Sequence, residues 1–352
     1  MRHSDSRTAA PSAAQGPSRR SSIRPKKIVA FVICTAVAIA TVIVIAIRPW
    51  SNAAPGHLGQ AVRYLGVYEP DAPSSYADLN QFARTIGRQP NLVSYYSPWG
   101  EPFQSNFAAM AAKHGAETLV QIDPKSISLQ KIADRHYDSY IRSYAKAVKA
   151  FRGKVVLSFG HEMNGDWYSW AYHHTSAAVF VAAWRHIVDV FRAVGTENVT
   201  WLWTVNIVDT TDNHIPNPNP WWPGKSYVTW VGIDGYYYSP SQNFAQVFGP
   251  TIVDVRALTG DPILVAETGA SLAAGQATKI TDMFSGIQAY GLLGFVWFDA
   301  NSINAGTGEA LQWRLESPAA LAAFRQDAKT FMRTRSKQVP GRQHPSSTTP
   351  SP

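Results

Sequence analysis

One cysteine, Cys34, is all the thiol chemistry that this 352-residue chain carries, and it lies inside an uncharged run. The rest of the chain therefore has no disulfide and no cysteine-based metal site. A G-x-G-x-x-G after the first strand-like run is also missing, so an open dinucleotide-binding sheet lacks its fingerprint. The stretch HEMNG at 161–165 begins like the zinc motif H-E-x-x-H, but Gly165 stands where the second histidine belongs. Asn164-Gly165 is moreover a turn pair, poorly suited to the helix on which that motif depends. His173-His174 has no third ligand at a recognisable spacing and reads as surface loop. Neither a metal nor a cofactor is implied.

Basic charge is scarce where it would matter for nucleic acid. The formal charge is +8, but residues 1–27 contribute +6 and the tail contributes +4 through Arg333, Arg335, Lys337 and Arg342, leaving −2 for the middle. Both basic ends are rich in Pro, Ser and Gln and are expected to be disordered. No nucleic-acid partner is expected.

Residues 28–47, IVAFVICTAVAIATVIVIAI, are long enough to cross the ~30 Å hydrocarbon core at ~1.5 Å per residue. Seven Lys/Arg and one acid, Asp5, precede the run; Arg48 follows it, and the next charge is Arg63. The positive-inside rule keeps residues 1–27 in the cytoplasm and the remainder outside. The reading is a single-pass membrane anchor at 28–47 and a linker at 48–59. The alternative is a signal peptide cleaved near Asn52-Ala53-Ala54, although its apolar region would exceed the usual ~7–15 residues. In either case the globular part is exported.

From 60 to 332 eight short apolar runs recur: 64–68, 91–96, 118–122, 155–160, 199–205, 230–236, 263–267 and 292–298. Between them come helical patterns, such as Tyr137, Tyr140, Ile141, Tyr144, Val148 and Phe151 on one face. Residues 176–194 repeat the pattern, with Thr175/Ser176 as a start signal and Gly195 as a stop. Strands alternating with helices predict a parallel sheet, and eight units predict an α/β fold closed as a (β/α)8 TIM barrel. The last 20 residues, 333–352, form a tail.

Barrel chemistry sits where strands end. Glu162 follows the fourth run and Glu267 ends the seventh. A carboxylate ending the apolar run ILVAE is costly to desolvate unless something uses it. Two carboxylates ~5–5.5 Å apart are what retaining cleavage of a glycosidic bond needs. Trp167, Trp170, Tyr236, Trp297 and Phe298 fall near strand ends, and such faces stack on sugar rings.

HEMNGDWYSW on strand four, with AETG on strand seven, resembles glycoside hydrolase family 26. YDSYIRSYAKAVKAF, GIDGY and VWF followed by QWRL extend the likeness over most of 60–330. The resemblance implies a retaining endo-acting enzyme on β-linked polysaccharide, with β-1,4-mannan foremost and mixed-linkage β-glucan or β-1,3-xylan as alternatives. It implies Glu162 as acid/base and Glu267 as nucleophile, with His161 beside the acid/base. Trp167 would line the cleft, Tyr236 would bond the nucleophile, and Trp297 would be the floor under the sugar. The family often has Arg four residues before the acid/base; this chain has Ser158. A surface protein that binds glycans without hydrolysing them is the rival from another class.

Other polar strand-end residues read as structural. Asp123 and Asp299 would cap or brace loops, Asp234 would bond neighbouring strands, and Glu69 is treated likewise. Trp184 and Trp201 have core spacing. Trp203 is open between barrel interior and cleft, and Trp221-Trp222 between a distant sugar platform and a cover for the barrel.

Overall fold

The computed structural model describes residues 63–209, 215–303 and 310–333. Segments 1–27, 28–47 and 48–59, and the tail beyond Arg333, lie outside the described residues, so the anchor is not among them. Among the described residues, no helix is long and apolar enough to cross a membrane.

Eight strands form a closed parallel barrel in sequence order: β1 (Tyr64–Tyr68), β2 (Leu92–Pro98), β3 (Glu117–Asp123), β4 (Val155–Phe159), β5 (Val199–Asn206), β6 (Trp230–Tyr237), β7 (Ile263–Ala270) and β8 (Gly294–Phe298). Each coincides with one of the eight apolar runs. β1 closes on β8, Tyr64 facing Gly294 and Tyr68 facing Phe298. The helices are α1 (Ala77–Ile86), α2 (Ser105–Lys113), α3 (Leu129–Ala133), α4 (Asp138–Phe151), α5 (Ala177–Val194), α6 (Phe244–Val247), α7 (Gly249–Leu258), α8 (Gln276–Ala289) and α9 (Pro318–Arg333). A short antiparallel pair, β9 (Asn301–Ile303) with β10 (Ala310–Gln312), follows the barrel.

Period-two alternation sorts every strand into two cores. Tyr64, Leu92, Leu119, Val156, Leu202, Leu264, Ala266 and Val296 fill the lower barrel interior. The alternate residues, among them Val67, Val93, Val120, Leu157, Trp203, Ile233, Val265 and Phe295, pack outward under the helices. α5 shows how sequence sets a helix. The Ser176 side chain accepts from the Val179 N–H, and Gly195 ends the helix in the left-handed region at φ 73°. Its face carries Phe180 against Phe159, and both Trp184 and Phe191 against Trp201. Full burial of such side chains is worth ~1.5–3 kcal/mol each.

Two aromatic questions are settled by strand phase. Trp203 shares the outward phase of Trp201 and Val205 and packs edge-on against Trp222, 5.0 Å between ring centroids. It neither fills the barrel nor reaches the cleft. Trp221 is buried and meets Tyr172, so the Trp221-Trp222 pair covers the barrel wall.

One strand breaks the alternation. Between β6 and β7, Ile233 faces Val265 but Asp234 faces Glu267, which leaves Ala266 as an extra residue. On the other side Val265 faces Phe295 and Thr268 faces Trp297, so Ala266 and Glu267 together oppose Val296. This is a β-bulge. Without it Glu267 would share the outward phase of Ile263 and Val265. With it, Ala266 joins the interior core and Glu267 also turns inward.

The β1–β8 closure leaves no room at Gly294, where φ is 151° and an added Cβ would lie 1.9 Å from the Tyr64 carbonyl oxygen. Gly294→Ala is expected to destabilise the barrel by about 3 kcal/mol, because backbone must shift. Denaturant titration measures this, and a loss below about 0.5 kcal/mol, the range of an ordinary surface change, would refute the tight closure.

Candidate active site

The motif HEMNGDWYSW does not form a helix. It folds as a series of turns after β4, with Gly160 and Glu162 both in the left-handed region at φ 56° and 53°. For a glutamate that conformation costs ~1–2 kcal/mol, and the neighbours that hold it are identifiable. The Glu162 N–H donates to the Thr204 carbonyl at 2.9 Å, continuing the β4–β5 pairing past the strand. Asn164 donates to the Asn206 carbonyl and accepts from the Asn206 N–H, both at 2.9 Å, which fastens the turn to the end of β5. The Trp170 indole N–H donates to the His161 carbonyl at 2.9 Å.

These contacts aim the Glu162 carboxylate. Oε2 accepts from the Trp167 indole N–H at 2.8 Å, and Oε1 accepts from the Asn206 side-chain amide. Trp167 reaches back by lying over Gly165, where an added Cβ would come within 2.3 Å of the indole ring. The residue that displaces the second histidine of a zinc motif is thus the one that lets an indole reach the glutamate. Trp167 itself is 43% exposed, so one face of the ring is open.

His161 is buried. Its Nδ1 lies 3.0 Å from Asp123 Oδ1 and its Nε2 lies 3.2 Å from the Tyr168 hydroxyl. Burial works against the charged imidazolium, but the Asp123 carboxylate and then Glu162 outweigh it and raise the pKa. Asp123, ending β3, is therefore the partner of His161 as well as a backbone brace for Trp99.

Glu267, turned inward by the bulge, accepts hydrogen bonds from the hydroxyls of Tyr96 on β2 and Tyr236 on β6. Tyr236 is held by Trp313 at 4.5 Å between centroids. Tyr68 stacks on Phe298 at 4.7 Å and meets Tyr96 edge-on at 5.1 Å, which completes an aromatic wall. Burial pushes the Glu267 carboxyl up to about 8. The two phenol donors favour its ionised form and act in the opposite sense. Both glutamates belong to one rim: Glu162 is bonded to Asn206, Asn206 faces Asp234, and Asp234 faces Glu267 across β5, β6 and β7.

Placement of the expected residues is uneven. Glu162, Glu267, His161, Trp167 and Tyr236 converge on this mouth. Trp297 does not: it is fully buried and packs against Phe324 of α9, because it shares the outward phase of Phe295. The side chain from β8 that reaches the mouth is Phe298, half-buried beside Tyr68 and Tyr236. Ser158 points inward and bonds Thr204 Oγ1 at 2.9 Å, with no cation in its place. Asp299 accepts from the Leu315 N–H at 2.8 Å and braces the segment carrying Trp313. Beside it Glu69, 3.7 Å from Arg314, is pushed up to about 9, first by burial and then by Asp299. His174 bonds the Asp166 carbonyl at 2.8 Å within its loop. Sequence reading missed Tyr96 and Asn206 as partners of the glutamates and took Asp123 as a brace only. Their one signal was a polar side chain near the C-terminal end of a strand.

Fold and site define a (β/α)8 barrel whose chemistry is concentrated at the C-terminal ends of its strands. Residues 107–302 match the model of glycosyl hydrolase family 26, and the chain belongs to that family. It is 30% identical over 282 residues to endoglucanase H of Acetivibrio thermocellus, an alignment covering 74% of this chain and 30% of that protein. It is 29% identical over 87 residues to mannan endo-1,4-β-mannosidase A and B of Caldalkalibacillus mannanilyticus, covering 23% of this chain and 16% of that one. The chain thus spans less than a third of either relative. The fold resembles that of a family 26 β-mannanase from Bacteroides ovatus, with a TM-score of 0.57 and 15% identity over 78% of this chain and 90% of the other. A modular endo-β-1,4-mannanase from Cellulomonas fimi gives a TM-score of 0.54 and 16% identity over 70% and 64%.

The two phenols generate a prediction. Removing one donor from an ionised carboxylate forfeits ~1.5–3 kcal/mol, and each 1.36 kcal/mol is one pH unit. Tyr96→Phe and Tyr236→Phe should each raise the Glu267 pKa by about one to two units. Carboxyl-carbon NMR with labelled glutamate reads this directly; no movement in either variant would refute the two contacts.

Proposed function

We propose that this protein is a retaining endo-β-glycanase, with Glu267 as nucleophile and Glu162 as acid/base. The observation that carries the reading is the inward turn of Glu267 into the same rim as Glu162, where two phenols grip it. In the first step the ionised Glu267 carboxylate attacks the anomeric carbon while Glu162 gives its proton to the departing glycosidic oxygen. A glycosyl ester with Glu267 results. Glu162 then takes a proton from water, whose oxygen displaces Glu267 from the same carbon. The product keeps its anomeric configuration and both glutamates return to their starting states.

The partners fit these roles. Tyr96 and Tyr236 favour the charged nucleophile against the cost of its burial. The open face of Trp167, beside the Glu162 oxygen, suits a sugar ring at the cleavage point. Phe298 takes the mouth position that Trp297 does not occupy. β-1,4-Mannan is the foremost substrate, with mixed-linkage β-glucan and β-1,3-xylan as alternatives. One relative is named a mannan endo-1,4-β-mannosidase and the other an endoglucanase, which supports a mannan or a glucan as substrate. The polysaccharide meets the enzyme outside the cytoplasm, at the membrane through residues 28–47 or free after cleavage near residue 53.

Glu267→Gln should lower reducing-end release from the preferred substrate by at least about a thousandfold. Mannan, galactomannan, lichenan and β-1,3-xylan form the panel. An unchanged rate in the variant would remove the nucleophile, and wild-type binding without hydrolysis of any of the four would favour the glycan-binding reading. The acidic limb of kcat/KM belongs to Glu267, since activity rises as that carboxyl loses its proton, and Tyr96→Phe should move it upward. Cell fractionation tests the location: the full chain should pellet with membranes, and recovery wholly in the medium would dispose of the anchor.

A further inference from the structure

Asp234 is the one acidic residue in the mouth that the proposed mechanism leaves without work. It sits on β6 and is 0% exposed, and among the described residues neither carboxyl oxygen has a hydrogen-bond partner. Its backbone lies between that of Asn206, which holds Glu162, and that of Glu267. Strand phase points its side chain inward, as with Gly232 below it and Tyr236 above it.

Two carboxylates stand close to it. Glu162 faces it from the turn after β4, and Glu267 stands opposite on β7. Tyr168 from the turn after β4 and Tyr236 on its own strand are the other titratable groups that sense its charge. β5 presents Thr204 and Asn206 beside it. The imidazole beside Glu162, that of His161, is held by Asp123 at 3.0 Å. Ser158 on β4 presents a hydroxyl that is bonded to Thr204 at 2.9 Å. An ionised Asp234 would thus add a further negative charge to one enclosure, and among the described residues no side chain donates to it to offset a penalty of several kcal/mol.

We propose that Asp234 is a neutral carboxylic acid in the folded protein, a positioning residue that lines the floor beneath Glu162 and Glu267 without adding charge. The consequence for the proposed reaction, on which this role rests, is that the negative charge of the free site is carried by Glu267 while Glu162 holds the proton it will donate. Burial, followed by the Glu162 charge, holds the Asp234 pKa far above the usual range, in line with this assignment.

The linkage has a definite sign. The unfolded chain releases this proton near pH 4, whereas the folded chain keeps it. Below about pH 4 Asp234 is uncharged in both states and costs the fold nothing; as pH rises from there toward the folded value only the unfolded chain ionises, and stability falls. Asp234→Asn exchanges one neutral group for another and has no such slope. Between about pH 4.5 and 6.5 the wild-type unfolding equilibrium should shift toward unfolding, relative to D234N, by about tenfold per pH unit. Denaturant titrations of the full chain measure it, and a difference independent of pH would overturn the proposal. Infrared spectra at pH 7 should show the carbonyl band of a protonated acid in the wild type that D234N lacks; a carboxylate band lost in its place would also overturn it. A further measurement leaves position 234 untouched. In protein with carbon-13 aspartate and Asp299→Asn, a protonated aspartic acid band should persist, and its absence would count against the assignment. These readouts need no substrate, so they stand or fall separately from the hydrolysis assay. Where hydrolysis is found, D234N should keep the alkaline limb of kcat/KM in place. A downward displacement would mean that a negative charge beside Glu162 had been removed, and that Asp234 was ionised.

Discussion

The active centre depends on one extra residue in β7. Ala266 inserts into the ladder between Val265 and Glu267, so two consecutive side chains turn toward the barrel axis. Ala266 completes the apolar ring below, and Glu267 rises into the mouth between Tyr96 and Tyr236. A regular strand would have buried this carboxylate in the outer core beside Val265. The bulge creates the need for the two phenols, since a glutamate turned into a partly enclosed mouth must be held and solvated by something.

The opposite side of the mouth solves a related problem with turns. Glu162 is not on a strand, and its left-handed backbone is fixed by Thr204 and by the Asn164–Asn206 exchange. Neutral donors, an indole and an amide, then set the carboxylate. The pattern across the site is consistent: neutral N–H and O–H groups hold the two glutamates, and the nearest basic ring is paired with a different acid.

The aromatic residues divide by the same two-fold rule. Tyr68, Tyr96, Tyr236 and Phe298 have the inward phase at the ends of β1, β2, β6 and β8 and form the wall of the mouth. Trp201, Trp203 and Trp297 have the outward phase and serve packing. Size and position near a strand end therefore say less than phase. Trp297 illustrates this, because the neighbouring Phe298 takes the role on account of a single-residue offset.

The sequence by itself determined the barrel. Eight apolar runs separated by amphipathic helices leave little freedom, since each strand buries both faces and each helix buries one. It also determined the two glutamates and the HEMNG turn, because a carboxylate at the end of an apolar run and an Asn-Gly pair inside a would-be metal motif are local features. Only the tertiary structure decided which way those residues face. A bulge is invisible in ILVAETGA, where alternation alone would send Glu267 outward. The partners Tyr96, Asn206 and Asp123 come from strands two, five and three, brought to the glutamates by barrel closure. Direction and partnership depend on register between distant segments, and no single segment of the chain carries that information.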